Sequence, residues 1–468
     1  MSGLVLYNTR TRRKEAFQPL EPGHARIYSC GPTVYAAQHI GNLRSVLTAD
    51  LLHRALVAEG LRVTHVMNIT DVGHLTDDAD AGEDKMERAA ARAGRTATEI
   101  AARYTAQWLD DRRRLGCLEA DAYPRATEHI PQQIELARTL ERKGYTYRIA
   151  DGIYFDTSKF PRYAEFARLD LAGQEAGGRI GDVAGKRHPA DFALWKFAPP
   201  GVKRQQEWDS PWGRGFPGWH LECSAMSVQY LGTTFDVHTG GVDHIAVHHT
   251  NEIAQSECAF DVHPWVRFWI HNEFLELGGE KMAKSTGNLL VLQDLVDRGF
   301  EPLAYRAFFL QAHYRQQQAF GFEALEAAAI GYRRLLAAAV EVRKATGAPD
   351  SGASAEYGGR FREAIRDDLN APRALAVAFE VARAPELSAP TRRALLLDFD
   401  RVLGLGLANE LPRGSVAESD PRIDALLAER EAARRHRDFA AADRIRDTLA
   451  AEGIAIEDTP QGPRWRRS

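Results

Sequence analysis

At 468 residues the chain is too long for one compact domain and calls for roughly two to four. Hydrophobic residues at 44% and charged residues at 26% exclude a disordered or fibrous chain. A net charge of −4 excludes a purely electrostatic nucleic-acid binder but leaves room for local basic clusters. No apolar run is long enough to span a bilayer, and no apolar signal core follows the basic residues Arg10, Arg12, Arg13 and Lys14. The expectation is a cytosolic, cytoplasmic protein without membrane contact. Cys30, Cys117, Cys223 and Cys258 are widely scattered, which suits reduced thiols or metal ligands better than a disulfide framework.

In chain order, residues 25–29 read as a strand, Gly31-Pro32 as a turn, and Val46 to Leu56 as a helix with Leu47, Leu51, Leu52 and Leu56 on one stripe. Residues 63–69 are a second, β-branched strand, so this unit predicts a parallel sheet with a right-handed crossover. Thr96 to Gly144 is helical in pattern, with breaks near Pro124 and Pro131. Asp151 to Pro199, rich in Gly, Asp and Pro, reads as an insertion, after which the sheet resumes at residues 235–238 and 268–271. Ala304 to Val342 and Ala371 to Leu405 have helical spacing, and Ala345 to Gly359 reads as a linker between them. A loop from Leu411 to Pro421 then precedes a small module with one helix, Ile423 to Leu449.

Three constellations carry chemistry. His39-Ile40-Gly41-Asn42 stands between a strand and a helix, where an imidazole and free backbone N–H groups suit an anion and the glycine admits a flat base. Alone, such a tetrad also reads as an ordinary loop. Lys281-Met282-Ala283-Lys284-Ser285 follows Gly278-Gly279, so two lysines on a Gly-flanked loop can close over a triphosphate; alone, it reads as solvated surface. The third comprises Cys30, Cys223, and His248 with Glu252 four residues on, sharing one helical face. Two thiolates, an imidazole and a carboxylate form a zinc-binding set, although each residue alone reads as core or surface.

The first two motifs together resemble the paired signatures of class I aminoacyl-tRNA synthetases. Adding residues 28–35, 217–226 and 248–252, with Asn68-Ile69-Thr70-Asp71, Gly240-Gly241-Val242-Asp243 and Glu457-Asp458-Thr459-Pro460-Gln461-Gly462, the whole chain resembles the cysteinyl-tRNA synthetase family. That resemblance implies an α/β protein: a Rossmann-type parallel-sheet catalytic domain in two halves, residues 1–120 and 206–300, around a connective insertion, 121–205. A stem-contact and helical bundle domain at 301–410 and an anticodon-binding module at 411–468 complete it. It implies zinc ligands at Cys30, Cys223, His248 and Glu252, with Mg²⁺ accompanying ATP. Asn42 stands where the family has a second histidine and keeps a donor without a charge; Ala283 stands where it has a serine.

The implied activity is formation of cysteinyl-adenylate from L-cysteine and ATP, then transfer to the cysteine-specific tRNA by a monomer. His39, Lys281 and Lys284 are the expected catalytic groups; Thr33, Gly41 and Asn42 join them around ATP. Gly31, Thr70, Trp219 and Asp243 are expected at the amino acid, and a soft metal is expected to choose cysteine over serine. Arg434, Asp443, Asp458 and Trp465 are expected at the tRNA, among basic neighbours Arg435 and Arg437. Two rivals are a cysteine ligase of the mycothiol pathway, which lacks an anticodon module, and a catalytically silent RNA-binding paralogue, against which the intact motifs argue.

Overall fold

A computed structural model describes residues 3–74, 84–169, 183–198, 201, 204–277, 280–281, 290–408, 421–435, 438–452, 454–459 and 462–467. Strands β1 (Val5–Asn8) and β2 (Arg13–Ala16) form a hairpin that leads into β3 (His24–Ser29). Helix α1 (Ile40–Ala58) then crosses to β4 (Arg62–Met67), which lies parallel to β3 with Tyr28 opposite Val66. Helices α2 (Lys85–Ala93), α3 (Ala97–Arg114) and α4 (Ile130–Arg142) follow. Strands β5 (Thr146–Ile149), β6 (Gly152–Phe155), β7 (Phe192–Phe197) and β8 (Gly215–Pro217) make an antiparallel sheet of their own in the order 5-6-7-8. Helix α5 (Trp219–Leu231), β9 (Phe235–Gly241), α6 (Thr250–Phe260) and β10 (Val266–Asn272) then return to the first sheet.

The central sheet has the order β10-β9-β3-β4, and each pair is parallel. Strands from both sides of the insertion are therefore neighbours, because helices cover both faces of a parallel sheet and bury it. Every residue of β9 is buried, as that position demands. The aromatic side chains of the insertion, Phe155, Phe192 and Trp195 among them, share one apolar cluster with Cys223 and Trp269. The insertion thus packs directly against the helices that carry the site.

Helix α1 is buried along most of its length, including the charged residues Arg44 and Asp50. Asp50 accepts from Arg306 Nη2 at 2.5 Å, Arg54 Nε at 2.8 Å and the Leu118 amide at 2.6 Å. Burial opposes its ionisation, yet the two guanidinium groups win and hold the carboxyl down at about 2. Arg306 also donates to the carbonyls of Leu403, at 2.6 Å, and Leu115, at 3.2 Å. One cation therefore ties α1 to the ends of α3 and of the Ala389–Leu403 helix.

Three sequence expectations change. The Ala345 to Gly359 segment is not a linker: Ser351–Arg366 is a helix, capped by Asp350, which accepts from the Ala353 amide at 2.7 Å. Its glycines lower helix propensity, but Phe361 stacks on Phe399 at 4.1 Å and tertiary packing overrides local preference. The Ala304 to Val342 stretch is two helices, Pro302–Phe309 and Phe322–Val342, divided by the strand Gln318–Phe320. That strand pairs with Leu275–Leu277, and Gln318 accepts from buried Arg44 at 2.6 Å. Within the compact unit 408–468, the single expected helix is two, Pro421–Arg435 and Phe439–Ala451, because Asp438 starts a new one by accepting from the Ala441 amide at 3.0 Å. A hairpin of Ile454–Thr459 and Gly462–Arg467 completes this unit around Ile423, Leu427, Leu449 and Ile454. Residues 411–420 of the expected loop lie outside the described residues. Among the described residues no helix is long and apolar enough to cross a membrane.

The Arg306→Met variant should lose about 3–5 kcal/mol of stability, since it strands the buried Asp50 carboxylate. Urea denaturation should show this loss, and adding Asp50→Asn should recover part of it.

Candidate active site and metal centre

A cleft of about 250 Å³ opens at the C-terminal end of the parallel strands, bordered by Cys30, Gly31, Thr33, His39, Gly41, Asn42 and Asp243 among others. His39 is the N-cap of α1, and its Nδ1 accepts from the Asn42 amide at 3.2 Å. An acceptor at Nδ1 places the proton of the neutral ring on Nε2. A side chain on Gly41 would put a carbon 2.9 Å from that same Nδ1, so only glycine lets the ring fold back over the helix end. Asn42 Nδ2 donates to Gln38 at 2.7 Å, which fixes the amide at the rim. At Gly31 a Cβ would stand 1.6 Å from the Asn68 carbonyl, because the loop after β3 presses against the one after β4.

The second signature is tied to the first at both described ends. Lys281 pairs with Glu276 in a short hairpin, and Leu275 of that hairpin lines the cleft. Beyond the loop, Leu290 accepts from the Ile40 amide at 2.8 Å and Val291 bridges to His39. Lys284 lies outside the described residues.

Deeper in the site, Cys30, Cys223, His248 and Glu252 bring one ligand atom each within 4.8 Å of one another. Cys30 follows β3, Cys223 comes from α5 and Glu252 from the first turn of α6. His248 belongs to the π-helical turn Ile245–His249, a wider turn than the α-helix makes, in which His248 and His249 are both buried. Cys223 Sγ lies 3.7 Å from His248 Nε2, which lies 2.7 Å from Glu252 Oε1. That oxygen is buried without a hydrogen-bond partner. A close approach lacking hydrogen-bond alignment is what two donors directed at a shared cation would show. Burial raises the Cys30 thiol, and a hydrogen bond donated to Cys30, followed by burial, raises Cys223. Burial also opposes a charge on His248, yet Glu252 and Cys223 raise it to about 10. The centre calls for positive charge, and its donor set suits a borderline-soft divalent metal.

A second group, Cys30, His238, His249 and Glu252, meets the same distance limit. Two of its members are engaged as supports. His238 Nε2 is 2.7 Å from Glu252 Oε2, and His249 Nδ1 is 2.7 Å from His271 Nε2, which passes contact to Thr9 at 2.8 Å. His220 Nδ1 holds His248 Nδ1 at 3.0 Å, leaving Nε2 to face the sulfur and carboxylate. These supports escaped the sequence reading. The paired histidines 248–249 were the available signal.

Other expected residues have specific places. Trp219 stacks on His248 with ring centroids 4.3 Å apart. Thr70 Oγ1 donates to Glu222 at 2.9 Å, and His74 pairs with the other oxygen of that carboxylate. In the C-terminal unit, Arg434 is exposed and Asp443 pairs with Arg446 at 3.0 Å. Asp458 and Trp465 sit opposite Pro463 and Ile456 in the terminal hairpin.

Solved structures share this architecture. Mycobacterium tuberculosis methionyl-tRNA synthetase in complex with methionyl-adenylate superposes with a TM-score of 0.55 at 16% identity, over 82% of this chain and 90% of that one. The catalytic-domain description of class I tRNA synthetases (C) matches residues 16–330, which defines the class. A DALR domain matches 360–407, and the cysteinyl-tRNA ligase anticodon binding domain matches 417–466. The chain is 51% identical to cysteine–tRNA ligase 1 of Burkholderia lata over 98% of this chain and 96% of that one. It is 44% identical to cysteine–tRNA ligase of Thermus thermophilus over 99% of each. The chain belongs to the cysteinyl-tRNA synthetase family, a family of ATP-dependent ligases.

Purified protein should carry one divalent metal ion per chain by elemental analysis. Cys223→Ala should lose that ion while keeping its circular dichroism, as expected when one of four donors is removed.

Proposed function

We propose that this chain activates L-cysteine with ATP and esterifies it onto the cysteine-specific tRNA, using Zn²⁺ held by Cys30, Cys223, His248 and Glu252. The observation that carries this reading is the four-donor set, three of its members buried and the fourth, Cys30, lining the cleft with His39, Gly41 and Asp243. When bound there, zinc supplies a soft Lewis acid that prefers a thiolate to a hydroxyl. The chain's own residues do the remainder. Glu252 is aimed by His238, and His248 by His220 and Trp219, so the donors need little reorganisation.

The Asp243 carboxylate, at the cleft edge, receives the substrate ammonium. Gly31 lets the amino acid approach the strand end, and Thr70 acts through Glu222, to which its hydroxyl is already given. The nucleotide lies against Thr33, Gly41 and Asn42. A carboxylate oxygen of cysteine attacks the α-phosphate in line, the bond to the bridging oxygen breaks and pyrophosphate leaves; Mg²⁺ accompanying ATP would offset charge on the phosphates. His39 donates through Nε2, and Lys281 and Lys284 offset the charge that develops on the phosphate. The terminal ribose hydroxyl of tRNA then attacks the acyl carbon, losing its proton as AMP leaves. Arg434, Asp443, Asp458 and Trp465 contact the anticodon from the separate unit 408–468. The enzyme works as a cytoplasmic monomer.

Pyrophosphate exchange with ATP should depend on cysteine, with serine at least about a hundredfold poorer. A chain ending at Leu407 should retain that exchange and lose most tRNA charging through weaker tRNA binding. Equal charging by the shortened chain would overturn the anticodon role, and transfer of cysteine to an amino-sugar instead of tRNA would favour the ligase reading.

A further inference from the structure

Side chains alternate along a strand, so Tyr28 in β3 and Cys30 just beyond it face the same side of the sheet. That side carries α5 and α6. Tyr28 is fully buried in the cluster that contains Cys223, and Cys30 packs against the same cluster. Its ring meets the edge of His238 at 5.2 Å, and His238 is the residue that grips Glu252. Yet the Tyr28 hydroxyl is buried without a hydrogen-bond partner. An orphaned buried hydroxyl is costly, and native interiors seldom keep one that serves nothing. Cys223, Cys30 and Glu252 are the ionisable groups close enough to act on this phenol, Cys223 foremost among them. A phenol keeps its proton at neutral pH and so meets an anion only as a donor.

We infer that Tyr28 is a positioning residue of the metal centre, whose phenol donates a hydrogen bond to the Cys223 thiolate. This rests on the zinc reading above. Two thiolates, a carboxylate and a neutral imidazole place three negative charges around a divalent ion, so the buried centre is anionic before any substrate thiolate arrives. A donor on sulfur disperses that excess charge, and a buried O–H is the group that can supply it without adding a cation. His238, by contrast, serves the carboxylate, so each kind of anionic ligand has its own support.

The test is cobalt substitution in the full chain and in Tyr28→Phe, a change that removes one oxygen atom. Cobalt in the unaltered chain should give sulfur-to-metal charge-transfer absorption in the near ultraviolet. In Tyr28→Phe that band should move to longer wavelength, because sulfur without its donor gives up an electron more easily. Cobalt release to a chelator should quicken about tenfold or more. A second measurement needs no variant: zinc added to the metal-free chain should red-shift a tyrosine difference band as the phenol becomes a donor. If the unaltered chain shows no thiolate band, the zinc reading itself fails. If it shows the band and Tyr28→Phe matches it in position and release rate, or if zinc leaves the tyrosine absorption unmoved, the role given to Tyr28 is wrong while the zinc reading stands.

Discussion

Glu252 carries a carboxylate with no solvent exposure, and water cannot stabilise it. Burying such a charge costs several kcal/mol unless cations and donors surround it. Burial would raise its titration, but His238 and His248 reverse the sign and hold it well below the ordinary carboxylate range. Much of the surrounding architecture serves that reversal. His238 reaches the carboxylate because β9 lies between β3 and β10. His248 reaches it because a π turn precedes α6. The same sheet order brings the end of β3, and with it Cys30, beside the strand that carries His238. A fold that separated the two halves of the sheet would take Cys30 away from this carboxylate.

Helix α1 links that region to the rest of the larger unit. Its N-terminus presents His39 to the cleft, and its middle is held by Asp50 and Arg306. Arg44, on the same helix, donates to Gln318 and to the Gln316 carbonyl at 2.5 Å. Both buried arginine clusters attach α1 to segments that follow the second signature. The Ile40 to Leu290 hydrogen bond does the same at the cleft. A rigid helix fastened at three points suits a reaction that depends on positioning more than on a protein nucleophile.

The donor set was legible in the sequence because metal chemistry limits it to few residue types, and because His248 and Glu252 show helical spacing. The strand–helix–strand unit was legible from its periodicity. What failed was local where the deciding forces are tertiary. Glycine and serine between 351 and 359 spoke for a linker, and burial of Phe361 and Ile365 made a helix. Asp438 lies inside the stretch that reads as one helix, whereas it caps a new one. Supports such as His238, His220 and Tyr28 were hidden for a related reason. A buried strand or helix shows no contrast between polar and apolar positions, so nothing in the pattern separates a supporting histidine from packing. Thr70 and Trp219 illustrate the converse: their proximity to the site was legible, but not the partners, Glu222 and His248, that they engage.

The direct measurement is zinc K-edge X-ray absorption on the full chain with and without L-cysteine. Without cysteine, the first shell should hold two sulfurs at about 2.3 Å with two lighter N/O donors. Saturating cysteine should raise the count to three sulfurs, and serine should leave it at two. A sulfur count that stays at two with cysteine bound would contradict selection of the amino acid through its thiol at this centre.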